Sequence, residues 1–305
     1  MILQAGSRTQ RGTAASLAWR EENMVANDLN VAELKRTAMR LRANIVKMIA
    51  TAGSGHNGGS LSAIDLITYL YFHGLRIDPA RPCWPDRDRF VLSKGHCCPA
   101  LYAALSARGF FAEELLWTLR DIGSVLQGHP DMTKTPGLDM TTGSLGQGIS
   151  ASVGMALAGK LDGRDYRVYC MVGDGELQEG QVWEAAMAAA HHGLDNLLVI
   201  VDNNQMETDG PTRSINNVEP IAPRWDAFGW HTAEIDGHDF AQIHDAFQAC
   251  RTESGRPSVI VAQTVKGKGV SFMEGKNEWH SGPTNPQQTA QALEELAAAS
   301  AAVGN

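Results

Sequence analysis

Asp174 and Asn204 stand thirty positions apart, and each follows an apolar, strand-like run. Arg167-Val168-Tyr169-Cys170-Met171-Val172 leads into Gly173-Asp174-Gly175, and Leu197-Leu198-Val199-Ile200-Val201 leads into Asp202-Asn203-Asn204. That separation is about the length of one strand–helix–strand crossover, roughly 30 residues. If the runs are neighbouring parallel strands, both residues reach the carboxyl edge of one sheet, where α/β folds place ligands. A carboxylate, an amide oxygen and a nearby backbone carbonyl form a hard-oxygen site. Mg²⁺ suits such a site, since it takes few protein ligands and fills its shell with phosphate oxygens and water; Ca²⁺ or Mn²⁺ would accept the same donors. Gly173 and Gly175 leave room for a phosphate to approach the backbone. Asp-Gly and Asn-Asn are each ordinary turn dipeptides; their placement after two such runs, at this spacing, is what points to a metal-held diphosphate.

The elements that must position these residues can be read around them. Both runs are nearly continuous in apolar residues, as strands buried on both faces of a parallel sheet are. Between them, Gln181 to His192 predicts a helix with Trp183, Ala186, Met187 and Ala190 on one face and Gly193 as its stop. His191 and His192 close it, where a partly positive ring suits the helix dipole. Upstream, Leu34, Ala38, Leu41, Ile45, Met48 and Ile49 give helical periodicity over Val31 to Ala50. Thr51 to Gly59 is a loop carrying His56, and Ser62 to Phe72 a second helix. Pro79 to Asp88 connects to a short strand, Arg89 to Leu92, and further strands are expected at Thr232–Ile235 and Ser258–Gln263. Thr141 to Gly148 is a glycine-rich turn into a helix from Ile149 to Lys160, presenting free amides at its N-terminus. The expected fold class is α/β: a doubly wound, mostly parallel sheet with helices on both faces. Residues 1–28 read as a polar lead, 29–288 as one domain without repeat or long linker, and 289–305 as an alanine-rich tail, weakly amphipathic through Leu293 and Leu296.

Composition excludes several function classes. The net charge is −8 with no basic stripe, which argues against a polynucleotide partner. No apolar run approaches the length of a membrane span. Glycine is 31 of 305 residues, above the usual roughly 7%, and fits many tight turns at a ligand edge. The five cysteines are odd in number and include the adjacent Cys97-Cys98, which suits reduced thiols and not a disulfide framework or a zinc site. With no apolar signal-peptide core at the N-terminus, a cytoplasmic location is expected.

Taken in order, the motifs resemble transketolase. GDGELQEGQVWEAA with VDNNQMETDG is similar to the thiamine diphosphate fingerprint of that family. Ser54-Gly55-His56, Leu92-Ser93-Lys94-Gly95-His96, Gly128-His129-Pro130, Thr141-Thr142-Gly143-Ser144-Leu145-Gly146-Gln147-Gly148 and Lys266-Gly267-Lys268-Gly269 followed by His280 all occur in the family's order, over residues 30 to 285. The resemblance implies a thiamine diphosphate-binding (PP) domain with Asp174, Asn204 and the Met206 carbonyl on Mg²⁺. It implies cofactor contacts from His56, His96, Gly143, Ser144, Leu145, Gly173, Asp174, Gly175, Glu176, Asn204 and His280. It implies catalytic roles for His56, His129 and His280, facing substrate hydroxyls and carbonyl, and for Glu179 and Glu184, in a chain of acids linking two cofactors at a subunit interface. Imidazole suits such work, since it donates to oxygens and changes protonation near neutrality. Two departures stand out: Ser144 lies where many full-length transketolases have proline, and Asn57 follows His56 where proline is usual.

In that family the cofactor supplies a carbanion and an electron sink, while the protein supplies orientation and proton transfer. A two-carbon ketol unit passes from a ketose to an aldose. The glutamate that activates the thiazolium, and the residues binding the sugar phosphate, belong to a second, pyrimidine-binding domain, for which nothing after Gln263 is long enough. The resemblance thus implies a split transketolase. This chain would be the N-terminal half, with a separately encoded partner subunit, active sites between chains and an α₂β₂ assembly acting on sugar phosphates. Related alternatives are a 2-oxo-acid dehydrogenase E1 α subunit, a deoxyxylulose-phosphate synthase-like subunit, or a transketolase for a sulfosugar or branched sugar. From another class, Gly146-Gln147-Gly148-Ile149-Ser150-Ala151 fits the loose nicotinamide-binding pattern G-x-G-x-x-A, but Asp139 to Thr142 is a poor strand to precede it. A non-catalytic interaction protein with a decayed site is the remaining reading, against which the intact Asp174 and Asn204 argue.

Overall fold

The computed structural model describes residues 29–304, so the polar lead over 1–28 lies outside the described residues. Five strands form one sheet, all parallel, in the order β1-β2-β3-β5-β4. They are β1 Arg89–Leu92, β2 Val168–Gly173, β3 Leu197–Asn203, β4 His231–Asp236 and β5 Ser258–Gln263. The central strands are buried along nearly their whole length, which is why they read as unbroken apolar runs.

Helices cover both faces. Inward residues of alternate parity sort into two cores. Tyr169, Met171, Leu198, Ile200, Ile260 and Ala262 face α1 (Val31–Ala52), α2 (Asn57–Tyr69), α3 (Cys98–Ala107), α8 (Phe240–Thr252) and α9 (Pro286–Ala302). Cys170, Val172, Val199, Val201, Val259 and Val261 face α4 (Gln147–Leu161), α5 (Gly180–His191) and α7 (Ile221–Ala227). The short helix α6 spans Thr212–Ile215. The doubly wound expectation holds. Among the described residues, no helix is long and apolar enough to cross a membrane.

Three local expectations change. Helix α2 starts at Asn57, inside the segment expected to be loop, because His56 takes extended backbone and acts as the N-cap residue. The inner face of α5 is Val182, Ala185, Ala186 and Ala189, one position round from the expected stripe. Met187 is 52% exposed, and Trp183 is half-buried, its Nε1 donating to Leu177 O at 2.8 Å. Both stripes have helical spacing, and the small alanines allow the close approach to the sheet. The alanine-rich C-terminal segment forms α9, which crosses position 288. It buries Ala292 and Leu296 against α1 and takes two hydrogen bonds from Ser271 to the Glu295 carboxylate, both 2.7 Å.

Candidate active site

The strand register sets the site. Gly173 lies opposite Asp202 and Asn203 opposite Gln263, so Asp174 and Asn204 emerge together at the carboxyl edge of β2 and β3. Both line a cavity of about 240 Å³. Between Asn204 and Met206, Gln205 takes left-handed backbone (φ 63°), and Met206 N donates to Asn204 Oδ1 at 3.2 Å. This tight turn brings Met206 to the cavity beside Asn204. Lys266 Nζ donates to Met206 O at 3.3 Å, so this carbonyl accepts from a cationic group at the cavity.

Asp174 is 2% exposed. Its Oδ2 accepts a hydrogen bond from Thr212 Oγ1 at 2.8 Å. Burial pushes its pKa up to about 6. A carboxylate so placed gains most from a cation beside it. No cluster of three His, Cys, Asp or Glu side chains suited to a metal occurs among the described residues. One carboxylate with an amide and a carbonyl oxygen instead fits an ion that completes its shell with phosphate oxygens and water.

Two lysines line the cavity in different states. Lys94 forms a buried ion pair with Asp202. Burial lowers its pKa, but the Asp202 charge overrides this and raises it. Lys266 faces Met206 O, Glu207 O (3.3 Å) and His280 Nδ1 (2.8 Å). Burial, with Lys94 nearby, brings its pKa down to about 8. Its ammonium therefore makes His280 Nδ1 the acceptor, so His280 Nε2 carries the proton and donates to Thr208 Oγ1 at 3.2 Å.

His56, His96 and His280 form a triangle, with ring centroids 5.1, 5.4 and 5.5 Å apart. Burial is the main cause that depresses all three, to about 4 for His56, to about 3 for His280 and well below the usual range for His96; the Arg120 charge adds to it at His56, that of Lys94 at His96 and that of Lys266 at His280. They stand as neutral imidazoles. His56 Nδ1 is buried without a hydrogen-bond partner among the described residues, an atom left to a ligand.

The cavity brings together most of the expected site: His56, His96, Gly143, Leu145, Gly173, Asp174, Gly175, Glu176, Asn204, Met206 and His280. Glu176 differs in kind from a ligand-facing group. Its carboxylate accepts from Ser93 Oγ, from Gly146 N (2.8 Å) and from Gly173 N (3.0 Å), tying three loops together. The Gly146 amide, expected to be free at the start of α4, is used in this way. Ser144, His129, Glu179 and Glu184 are exposed and outside the cavity lining. The His129 ring packs beside Gly143, at 3.2 Å from where a Cβ would lie. Residues 139–143 contain no strand, so the context that the nicotinamide reading requires is missing. Gly59, Lys94, Glu207, Thr208 and Lys266 were not among the expected site residues, although both lysines stood in the quoted motifs.

Comparison with known proteins points to one family. The family described as the transketolase thiamine diphosphate binding domain matches residues 34–301. The chain is 48% identical over 264 residues to the 6-deoxy-6-sulfo-D-fructose transketolase subunit SqwG of Clostridium sp., a match covering 87% of this chain and 96% of that protein. It is 41% identical over 268 residues to an apulose-4-phosphate transketolase subunit of Phocaeicola vulgatus, covering 88% and 95% respectively. With human transketolase the identity is 42% over 264 residues, covering 86% of this chain but 42% of that protein. Among solved structures, transketolase from Campylobacter jejuni matches with a TM-score of 0.83 and 33% identity, over 88% of this chain and 43% of that one.

Proposed function

The chain belongs to the transketolase family as a thiamine diphosphate-binding subunit, and on that premise we propose that it works with Mg²⁺ and a separate subunit carrying the pyrimidine domain. Together they transfer a two-carbon ketol unit from a ketose to an aldose. The observation that carries this reading is one cavity holding the Asp174 carboxylate, Asn204, the Met206 carbonyl, the Lys266 ammonium and three neutral imidazoles. In this reading Asp174, Asn204 and the Met206 carbonyl hold the metal, and Lys266 adds positive charge toward the diphosphate. His56, His96 and His280 orient phosphate or sugar oxygens without adding charge of their own. Their basicity rises when anionic oxygens approach, so they can take and return a proton. Thiamine diphosphate, when bound, supplies the carbanion and the electron sink.

The split arrangement is supported by relatives named as subunits, which this chain matches over 95% or more of their length. Exposure of His129, Ser144, Glu179 and Glu184 suits a face completed by another chain, in an α₂β₂ assembly. The names of the same relatives support a substrate that is an unusual sugar with a terminal phosphate or sulfonate. The test is ketol transfer by the purified chain, alone and with its partner subunit. Negligible activity alone and restoration on mixing are expected. Robust transfer by the chain alone would refute the split-enzyme reading.

A further inference from the structure

None of Arg42 on α1, Asp65 on α2 or His238 in the β4–α8 turn lines the cavity, yet the three meet in the interior. Arg42 Nη1 and Nη2 donate to Asp65 Oδ1 (2.8 Å) and Oδ2 (2.6 Å), and Nη2 also reaches Leu61 O at 3.4 Å. His238 Nδ1 lies 2.7 Å from Asp65 Oδ2. Arg42 is 1% and Asp65 5% exposed. Burial raises the Asp65 pKa, but the Arg42 charge and the bonds from both partners hold it down at about 2.

Both partners of Asp65 spend a further donor or acceptor on the same short loop. His238 Nε2 accepts from Val265 N at 2.9 Å, which places the ring proton on Nδ1, facing Asp65. Arg42 Nε donates to Lys268 O at 2.9 Å. Lys266 lies between these two anchor points. The loop has little freedom elsewhere. Gly267 and Gly269 take left-handed backbone (φ 77° and 94°), where a Cβ would lie 2.5 Å from Met273 O and 2.9 Å from Arg42 Cδ. Gly267 N also donates to Gly58 O at 2.9 Å.

We propose that Asp65 is a positioning residue for the site: through Arg42 and His238 it fixes Val265 and Lys268, and so holds the Lys266 ammonium against Met206 O, Glu207 O and His280. The proposal rests on Lys266 acting as an anion-binding group of the diphosphate site. A buried ion pair that served only stability would act without regard to Lys266.

The test is a double-mutant cycle on the full chain, with magnesium pyrophosphate as the probe and calorimetric titration as the readout. Lys266→Ala is expected to weaken binding. Asp65→Asn is expected to weaken it by about tenfold, the lower end of what partners behind a metal ligand cost, and by nothing further once Lys266 is already alanine. An equal loss in both backgrounds, or no loss at Asp65→Asn, would overturn the proposal. If Asp65→Asn fails to fold, His238 answers the same question. His238→Gln keeps an acceptor for Val265 N–H and is expected to retain affinity that His238→Ala loses, with equal thermal stability. Equal affinity in those two variants would also overturn it. Unchanged affinity in Lys266→Ala would instead refute the role given to Lys266. Absence of pyrophosphate binding by the unmodified chain would refute the diphosphate reading, and the positioning role with it.

Discussion

Replacing Lys94 by methionine removes a buried charge while keeping most of the side-chain volume. Lys94 is 2% and its ion-pair partner Asp202 0% exposed. Asp202 would be left ionised in the interior, with the Ser62 Oγ hydrogen bond (2.6 Å) and that of Thr264 still in place. Breaking one side of a buried pair costs about 3–5 kcal/mol. The two remaining hydroxyl donors to a charged acceptor place Lys94→Met near the lower end, about 3 kcal/mol. Asp202→Asn leaves the ammonium buried without its counter-charge and should cost a similar amount, about 3 kcal/mol. The double variant carries neither charge and is expected to be no worse than either single one. The coupling is then about 3 kcal/mol, the upper end for groups in direct contact. Urea denaturation of the cofactor-free chain, followed by circular dichroism, measures all four corners of the cycle. Additive losses, with the double variant near 6 kcal/mol by summing the two estimates, would refute the pairing. So would a Lys94→Met variant as stable as the parent. The same reasoning predicts that Lys94→Met weakens magnesium pyrophosphate binding less than Lys266→Ala, because the Lys94 charge is already used by Asp202.

Asp174→Ala should abolish the dependence of pyrophosphate binding on Mg²⁺ in the full chain; calorimetric titration with and without EDTA checks it, and an unchanged dependence would remove Asp174 from the ligand set. Asp65 is depressed to about 2 from an ordinary 3.8, so it contributes roughly 2 kcal/mol of stability, fully present above about pH 4 and lost as pH falls through 2. The stability gap between the parent chain and Asp65→Asn should therefore narrow by about that amount between pH 5 and pH 2, and a gap that stays constant in urea titrations counts against the ionised pair. A Cβ at Gly58 would lie 2.8 Å from both Lys266 Cγ and Trp279 O, so Gly58→Ala should cost about 1–3 kcal/mol in unfolding and weaken pyrophosphate binding as well.

Much of this was legible because buried parallel strands and ligand-edge turns leave strong local signals. Arg89–Leu92 and Ser258–Gln263 were delimited to the residue, since each is a short apolar run closed by polar or glycine-containing turns. Helix α3 went unread for the opposite reason: Cys98 to Leu105 is buried all round, so no amphipathic period marks it. Helix α8 did carry a signal, with Asp239 as N-cap and Phe240, Ile243, Ala246, Phe247 and Cys250 on one face. The rotated face of α5 shows the limit of periodicity. Trp183 and Met187 offer more apolar area than alanine, while packing against a sheet favours the smaller stripe.

Asp174 and Asp202 both stand at the carboxyl end of a buried strand, and both precede residues that line the cavity. Residue type does not separate them; their partners do. Asp202 is saturated by Lys94, Ser62 and Thr264, and its pKa is lowered because the Lys94 charge outweighs burial. It lies outside the cavity lining. Asp174 has the Thr212 hydroxyl, an upshifted pKa and an open face. The same contrast divides the lysines, since the ammonium matched to Asp202 is balanced and Lys266 is not. These pairings join residues 108 and 62 positions apart, beyond the reach of any local pattern. The fold thus uses one carboxylate to neutralise one lysine, and leaves the other carboxylate and the other lysine facing the same cavity. A cation bound to an anion, as in the proposed function, would satisfy both at once.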